Sequence, residues 1–140
     1  MRFSIVLKQR IALGIMSIVT VITAHLVYIN KHPEWILFRK AENEYQNKQW
    51  AEAAQLYQES LDKGLKNSLA ISRIGHSYGE LKDFPKAVYW YKHYVDLNPK
   101  DIWARKELAG WLTANGEFDK AAEEYSRIIQ LEKQQNDETK

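Results

Sequence analysis

Apolar and polar positions divide the chain into two unlike parts. From Ile11 to Ile29 runs IALGIMSIVTVITAHLVYI, 19 residues without a formal charge. As a helix rising about 1.5 Å per residue it spans about 28 Å, close to the hydrocarbon thickness of a bilayer. Arg2, Lys8 and Arg10 precede it, Lys31 follows, and Tyr28 stands at its far end, where an amphipathic ring suits a membrane interface. The pattern predicts a transmembrane helix or signal anchor over 11–29, after a basic flank over 1–10 and before a short linker over 30–33. A cleaved signal peptide is the competing reading. Its apolar region would be about 7–15 residues, and the nearest A-x-A-like site, Ile22-Thr23-Ala24, has a large residue where a small one is preferred. The basic residues favour the N-terminal side of the span. This orientation keeps the N-terminus cytoplasmic and, in a bacterium, places the remainder in the periplasm. His25, near the helix exit, reads as an interfacial histidine rather than a proton relay.

Beyond residue 33 the pattern turns helical and repeats with a period of 34 residues. Trp50, Phe84 and Phe118 form one column, Ala53, Ala87 and Ala121 a second, and Tyr57, Tyr91 and Tyr125 a third. Leu37 aligns with Ile71, Ala41 with Gly75 and Ala109, and Leu61 with Val95 and Ile129. Each unit reads as two helices and a turn. In the middle unit Ile71, Ile74, Gly75 and Tyr78 share one face, and Asp83 is placed to cap a second helix with Pro85 in its first turn. Ala87, Tyr91, Tyr94 and Val95 give that helix an apolar stripe, which Leu97-Asn98-Pro99 ends. Asn115-Gly116 supplies the corresponding turn in the last unit. The small residues let paired helices approach closely while the aromatic columns fill the core. After Leu131 the sequence EKQQNDETK is polar and reads as a frayed tail, which leaves Ile128 and Leu131 incompletely covered.

These columns resemble the tetratricopeptide repeat (TPR) family over the whole chain beyond the apolar segment. The repeats fall at 34–67, 68–101 and 102–135, with a polar tail at 136–140. The middle repeat carries Ile74-Gly75, Tyr78, Phe84, Ala87, Tyr91 and Pro99 at family positions. The resemblance implies an all-α fold: an N-terminal transmembrane helix followed by an α-solenoid of three helix-turn-helix repeats with a concave groove. It also implies that the groove is lined by Trp35, Phe38, Glu42 and Tyr45, by Leu69, Ser72, His76 and Gly79, and by Trp103, Lys106, Gly110 and Thr113. The chain departs from the family in carrying Arg105 at the fourth repeat position, and Lys40 and Glu44 where the first repeat is ordinarily apolar. Some members clamp a C-terminal carboxylate with lysine and asparagine. Here Phe38 and Glu42 stand at such positions and only Lys106 fits. Tyr89 and Trp90 are placed on the outer side of a second helix.

Charge and chemistry refine this picture. The chain has 140 residues, formal net charge +2 and no cysteine, which excludes disulfide, zinc-ribbon and thiol chemistry. Residues 34–140 carry 16 basic and 18 acidic groups, so the basic balance belongs to the N-terminal segment and is no sign of a nucleic-acid surface. His76 and Glu80 stand four apart on one helix without a third ligand, and no catalytic motif or phosphate-binding loop is present. No enzyme activity, cofactor or metal is expected. The chain is expected to be a membrane-tethered scaffold that binds a membrane-associated protein or peptide at Trp35, Phe38, Tyr45, Leu69, Ser72, His76, Trp103 and Lys106, in a cell-envelope process. The alternative is a structural homo-oligomer stacking through its open C-terminal end.

Overall fold

The computed structural model describes residues 2–138, apart from the side chains of residues 2–9, 12, 29 and 30. Among the described residues seven helices follow one another: α1 (Arg2–Lys31), α2 (Pro33–Gln46), α3 (Trp50–Asp62), α4 (Ser68–Glu80), α5 (Phe84–Leu97), α6 (Ile102–Ala114) and α7 (Phe118–Glu138). From α2 onward each packs on the next, so the pairs α2/α3, α4/α5 and α6/α7 form a linear array. The linker expected at 30–33 shrinks to His32, because Pro33 opens α2 at a position where its missing N–H is not needed. The polar tail is also shorter than expected: α7 continues to Glu138.

Local chemistry sets these boundaries. Asn67, Asp83 and Asp101 cap α4, α5 and α6, their side chains accepting from the amides of Leu69 (2.9 Å), Lys86 (3.3 Å) and Ala104 (3.0 Å). The turn inside each repeat closes with a left-handed residue at one repeat position: Lys48 (φ 59°), Lys82 (φ 61°) and Gly116 (φ 80°). The following amide reaches back to a carbonyl five residues earlier each time, Gln49 to Glu44, Asp83 to Tyr78 and Glu117 to Leu112.

Two apolar clusters hold the array. The first joins Ala41, Ala53, Tyr57, Ala70 and Ile74; the second joins Tyr91, Val95, Ala104, Leu108, Leu112 and Ala121. The small-residue column sets the spacing: a Cβ on Gly75 would stand 2.7 Å from the Tyr91 ring. Trp90, placed outside by sequence, packs instead against the first cluster, while Tyr89 stays exposed.

The aromatic columns are covered in two repeats and bare in the third. Tyr57 and Tyr91 are fully buried. Phe118 is 67% exposed and Tyr125 48%, against the expectation that both are core, because among the described residues no helix packs on that face of α7. Ile128, expected to be open, is buried. The bare face runs through Phe118, Tyr125 and Ile129 (66% exposed) instead.

The α1 helix contains the apolar segment. Ile11, Leu13, Ile15, Met16, Ile18, Val19, Val21, Ile22, Leu26 and Val27 are each more than half exposed. Among the described residues no single helix is long and apolar enough to cross a membrane. Leu13–Tyr28 and Pro33–Gln46 meet that test only together, as a pair bent by 88°.

Candidate binding groove

The first helices of the three repeats, α2, α4 and α6, build the inner wall. Trp35, Leu69 and Trp103 occupy one repeat position, the second, and all three project with 43%, 43% and 55% exposure. Each lies in the first turn of its helix. Trp35 meets Phe38 edge-on at 5.8 Å, and Trp103 leans on the buried ring of Tyr91 at 6.3 Å.

A cluster of aromatic and charged groups occupies the middle of the wall. Tyr45 packs edge-on against Trp50 at 5.2 Å, and the His76 ring lies 5.5 Å from Tyr45 and 5.6 Å from Trp50. The Arg73 guanidinium sits 4.2 Å over the Tyr45 ring, and its Nε is 3.6 Å from Glu42 Oε1. Glu42 also accepts the Tyr57 hydroxyl. Burial, reinforced by the Glu42 carboxylate, pushes the Tyr57 phenol up, so it remains a donor. Burial works against the Arg73 charge, but Tyr45 and Glu42 outweigh it and leave the guanidinium above its ordinary value. Arg73 Nε and His76 Nδ1 are both buried without a hydrogen-bond partner. Glu80 stands 3.9 Å from His76 Nε2.

At the C-terminal end of the wall Gly110 has open space above it, in a recess of about 250 Å³ shared with Lys106, Glu107, Trp111 and Ala114. Lys106 is held by Glu132 at 2.9 Å.

Seven of the eight residues expected to line the groove reach the surface at least in part. Ser72 does not: it is buried, its hydroxyl donating to the Leu69 carbonyl. Gly79 is not open floor either, because the Trp111 ring lies where its Cβ would be, 2.5 Å away, and stacks on Phe84 at 6.2 Å. Arg73 takes the place that sequence reasoning gave to Ser72. Spacings of four and three from Leu69 give Leu69, Arg73, His76 and Glu80 as one stripe, and that spacing was the available signal.

Among the described residues no group of three or more histidines and carboxylates is placed to hold a metal ion. The wall offers apolar anchors at one rim and the partly exposed Arg73–Glu42 pair in the middle, an arrangement suited to holding an extended or helical segment.

The fold is that of tetratricopeptide-repeat domains. The chain is similar to the first TPR domain of Spaghetti (RPAP3) solved with an HSP90 peptide, with TM-score 0.62 and 22% identity, covering 71% of this chain and 79% of that one. It is similar to the TPR domain of Arabidopsis OM64 (0.62, 20%, covering 72% and 84%). It is also similar to the MamA RS-1 ArsTM double mutant (0.69, 20%), where it covers 78% of this chain but only 62% of the other. No protein-family model and no curated protein matches the chain.

Proposed function

We propose that the chain is a membrane-tethered protein-interaction scaffold whose inner wall binds a protein segment, as an assembly or recruitment factor in a cell-envelope process. The observation that carries this reading is the row of Trp35, Leu69 and Trp103, three large apolar side chains left exposed at one repeat position on one wall. Isolated exposed apolar residues are ordinary, whereas aligned ones on one wall suit a ligand that brings apolar side chains. The HSP90 peptide carried by the similar RPAP3 domain supports a peptide as the class of ligand. The role is binding rather than catalysis.

Tethering rests on α1. A helix that exposes apolar side chains all round is stable when lipid or protein covers it. Arg2, Lys8 and Arg10 hold its N-terminus in the cytoplasm, which places the repeats in the periplasm of a bacterium. Anchoring concentrates the groove near membrane-bound partners.

A photoreactive residue replacing Lys106 in the full chain, in native membranes, tests the groove. A distinct protein captured there, absent from a control at outer Lys92 and lost with Trp103→Ala, is the expected result. Equal capture at both positions overturns groove binding.

A further inference from the structure

We propose that the angle between α1 and α2 is a binding site for the headgroup of an anionic phospholipid, with Arg39 as the phosphate-binding residue. The inference rests on the tethering proposed above and adds a specific lipid contact to it. Two arginines at one repeat position differ in what they face. Arg73 finds a carboxylate on the preceding repeat, its Nε lying 3.6 Å from Glu42 of α2. Arg39 stands 34 residues earlier, where the preceding element is α1. Residues 1–33 contain no Asp or Glu, so α1 offers no carboxylate. Arg39 is exposed and makes no ion pair within the described residues. The carboxylates on α2 itself are engaged: Glu34 lies 3.0 Å from His32 Nδ1, Glu42 takes Arg73 and the Tyr57 hydroxyl, and Glu44 accepts from the Asn43 amide. The anion that suits Arg39 therefore comes from outside the chain.

The geometry puts this arginine at headgroup level. Leu13–Tyr28 and Pro33–Gln46 are bent by 88°, so with α1 inserted in lipid α2 runs along the membrane surface. A cavity of about 230 Å³ is lined by His25, Tyr28 and His32 on one side of the bend and by Trp35, Ile36 and Arg39 on the other. Lining from both arms places it inside the angle, where the surface of the bilayer meets the helix. Tyr and Trp rings suit that layer, and Tyr28 leans on His32 at 4.6 Å. The volume is below the range of about 300–1,000 Å³ that encloses a free small ligand. It suits instead the head of a molecule whose tails are held elsewhere. Val21 and Ile18 continue the His25 face toward the N-terminus at spacings of four and three, and both are exposed, a track for acyl chains.

Charge selects the headgroup. Lys31 and Lys40 are likewise exposed and make no ion pair within the described residues. Around the bend stand three fixed cations and one carboxylate, Glu34, already held by His32. This balance favours a phosphodiester without an ammonium of its own, as in phosphatidylglycerol, over the zwitterionic phosphatidylcholine.

Native mass spectrometry of the full chain in detergent, with either lipid added, tests the site. Phosphatidylglycerol is expected to bind at least about tenfold tighter than phosphatidylcholine, and Arg39→Ala to remove most of that preference. Lys40→Ala and the remote Lys63→Ala keep it, because neither side chain lines the cavity, and excess inorganic phosphate does not displace the lipid. All three substituted residues are exposed, and unchanged helical circular dichroism verifies that each variant folds. Trp35, shared with the groove rim, is left in place. Equal binding of the two lipids overturns the proposal. So do equal losses from Arg39→Ala and Lys40→Ala, the mark of general charge attraction, or displacement by inorganic phosphate, the mark of a site for free anions. Flotation with phosphatidylcholine vesicles separates this result from tethering. The parent and Arg39→Ala both float when α1 inserts, whereas a parent chain that stays behind overturns the tethering and the headgroup site together.

Discussion

The second and third repeats carry the same aromatic columns and treat them in opposite ways. Phe84 and Tyr91 lie under α6, the one stacked on Trp111 and the other fully buried, while Phe118 and Tyr125 are exposed. The residue types barely differ. What differs is the neighbour, since a solenoid residue is core only when the next unit supplies the other half of its pocket. The two ends of the array accordingly differ in kind. The first repeat helix, α2, carries the polar Lys40 and Glu44 at the positions of Ile74 and Tyr78, and α7 carries an exposed apolar stripe through Phe118, Tyr125 and Ile129.

The largest effect separates the two repeats through their tyrosines. Tyr91→Ala removes a fully buried ring from the second cluster and is expected to cost about 3–5 kcal/mol in chemical unfolding of the detergent-solubilised chain. Tyr125→Ala in the same column is expected to cost less than about 0.5 kcal/mol at concentrations where the chain is monomeric. Equal costs would mean that Tyr125 is covered in solution and would break the contrast.

A second difference lies at the fourth repeat position. The first two repeats carry Leu37 and Ile71 there, and their second helices carry Leu56 and Trp90 at the position that Glu124 holds in the third. The third repeat has Arg105 and Glu124 instead, a nearly buried ion pair at 2.6 Å. Arg105 also donates from Nε and Nη2 to the Pro99 carbonyl, at 3.0 and 2.8 Å. The pair borders a cleft of about 360 Å³ between α5 and α7 that has Val95, Leu108 and Leu112 in its lining. Glu124→Ala strands the guanidinium and is expected to cost about 3 kcal/mol. The double variant Arg105→Leu/Glu124→Leu copies the first repeat and is expected to be within about 1 kcal/mol of the parent, because removing both charges also removes their desolvation cost. A double variant as damaged as the single one would show that the pair is needed for more than filling its site.

Much of this architecture was legible before any coordinates. The 34-residue columns depend on contacts inside one hairpin, such as Tyr91 against Gly75, and those contacts recur wherever the hairpin recurs. The fates of Phe118 and Tyr125 were not legible from the columns, because a column records a place in the repeat and says nothing about whether another repeat follows. The groove was legible in part. Trp35, Leu69 and Trp103 share a column and project as expected, but the Trp111 side chain that covers Gly79 comes from a position with no counterpart in the other repeats, where Asn43 and Ser77 stand. The Arg105–Glu124 pair was half visible, as an arginine out of place at position 105. Its partner, 19 residues on, needed the hairpin geometry to be found.

The helix cap between the paired helices separates the repeats more gently. The column reads Gln49, Asp83, Glu117, and Asp83 caps α5 while Gln49 makes no side-chain cap on α3. Asp83→Gln is expected to cost about 1 kcal/mol and Gln49→Asp to gain a smaller amount. The hydrogen bond from Lys86 holds the Asp83 carboxyl below its ordinary value, opposed by slight burial and aided by the Lys86 amide. Its contribution is therefore whole at neutral pH and is lost as acid titrates the folded carboxylate, so the gap between parent and Asp83→Gln should close toward low pH.

The smallest effect concerns the turn residue just before that cap. Lys48, Lys82 and Gly116 share one left-handed backbone position, and only the third repeat fills it with glycine. A side chain in that region is disfavoured by roughly 1 kcal/mol, whereas glycine adopts it freely but loses more chain entropy on folding. The two effects oppose each other, so Lys82→Gly is expected to stabilise by only about 0.5 kcal/mol. Gly116→Lys runs the exchange in reverse and is expected to destabilise by about the same amount, since open space surrounds Gly116 and no contact is lost or made. Opposite signs of similar size in thermal unfolding would establish that the turns are interchangeable and that the third repeat differs from its neighbours in cover and in its ion pair. A much larger loss for Gly116→Lys would place part of the difference in the backbone of the last hairpin itself.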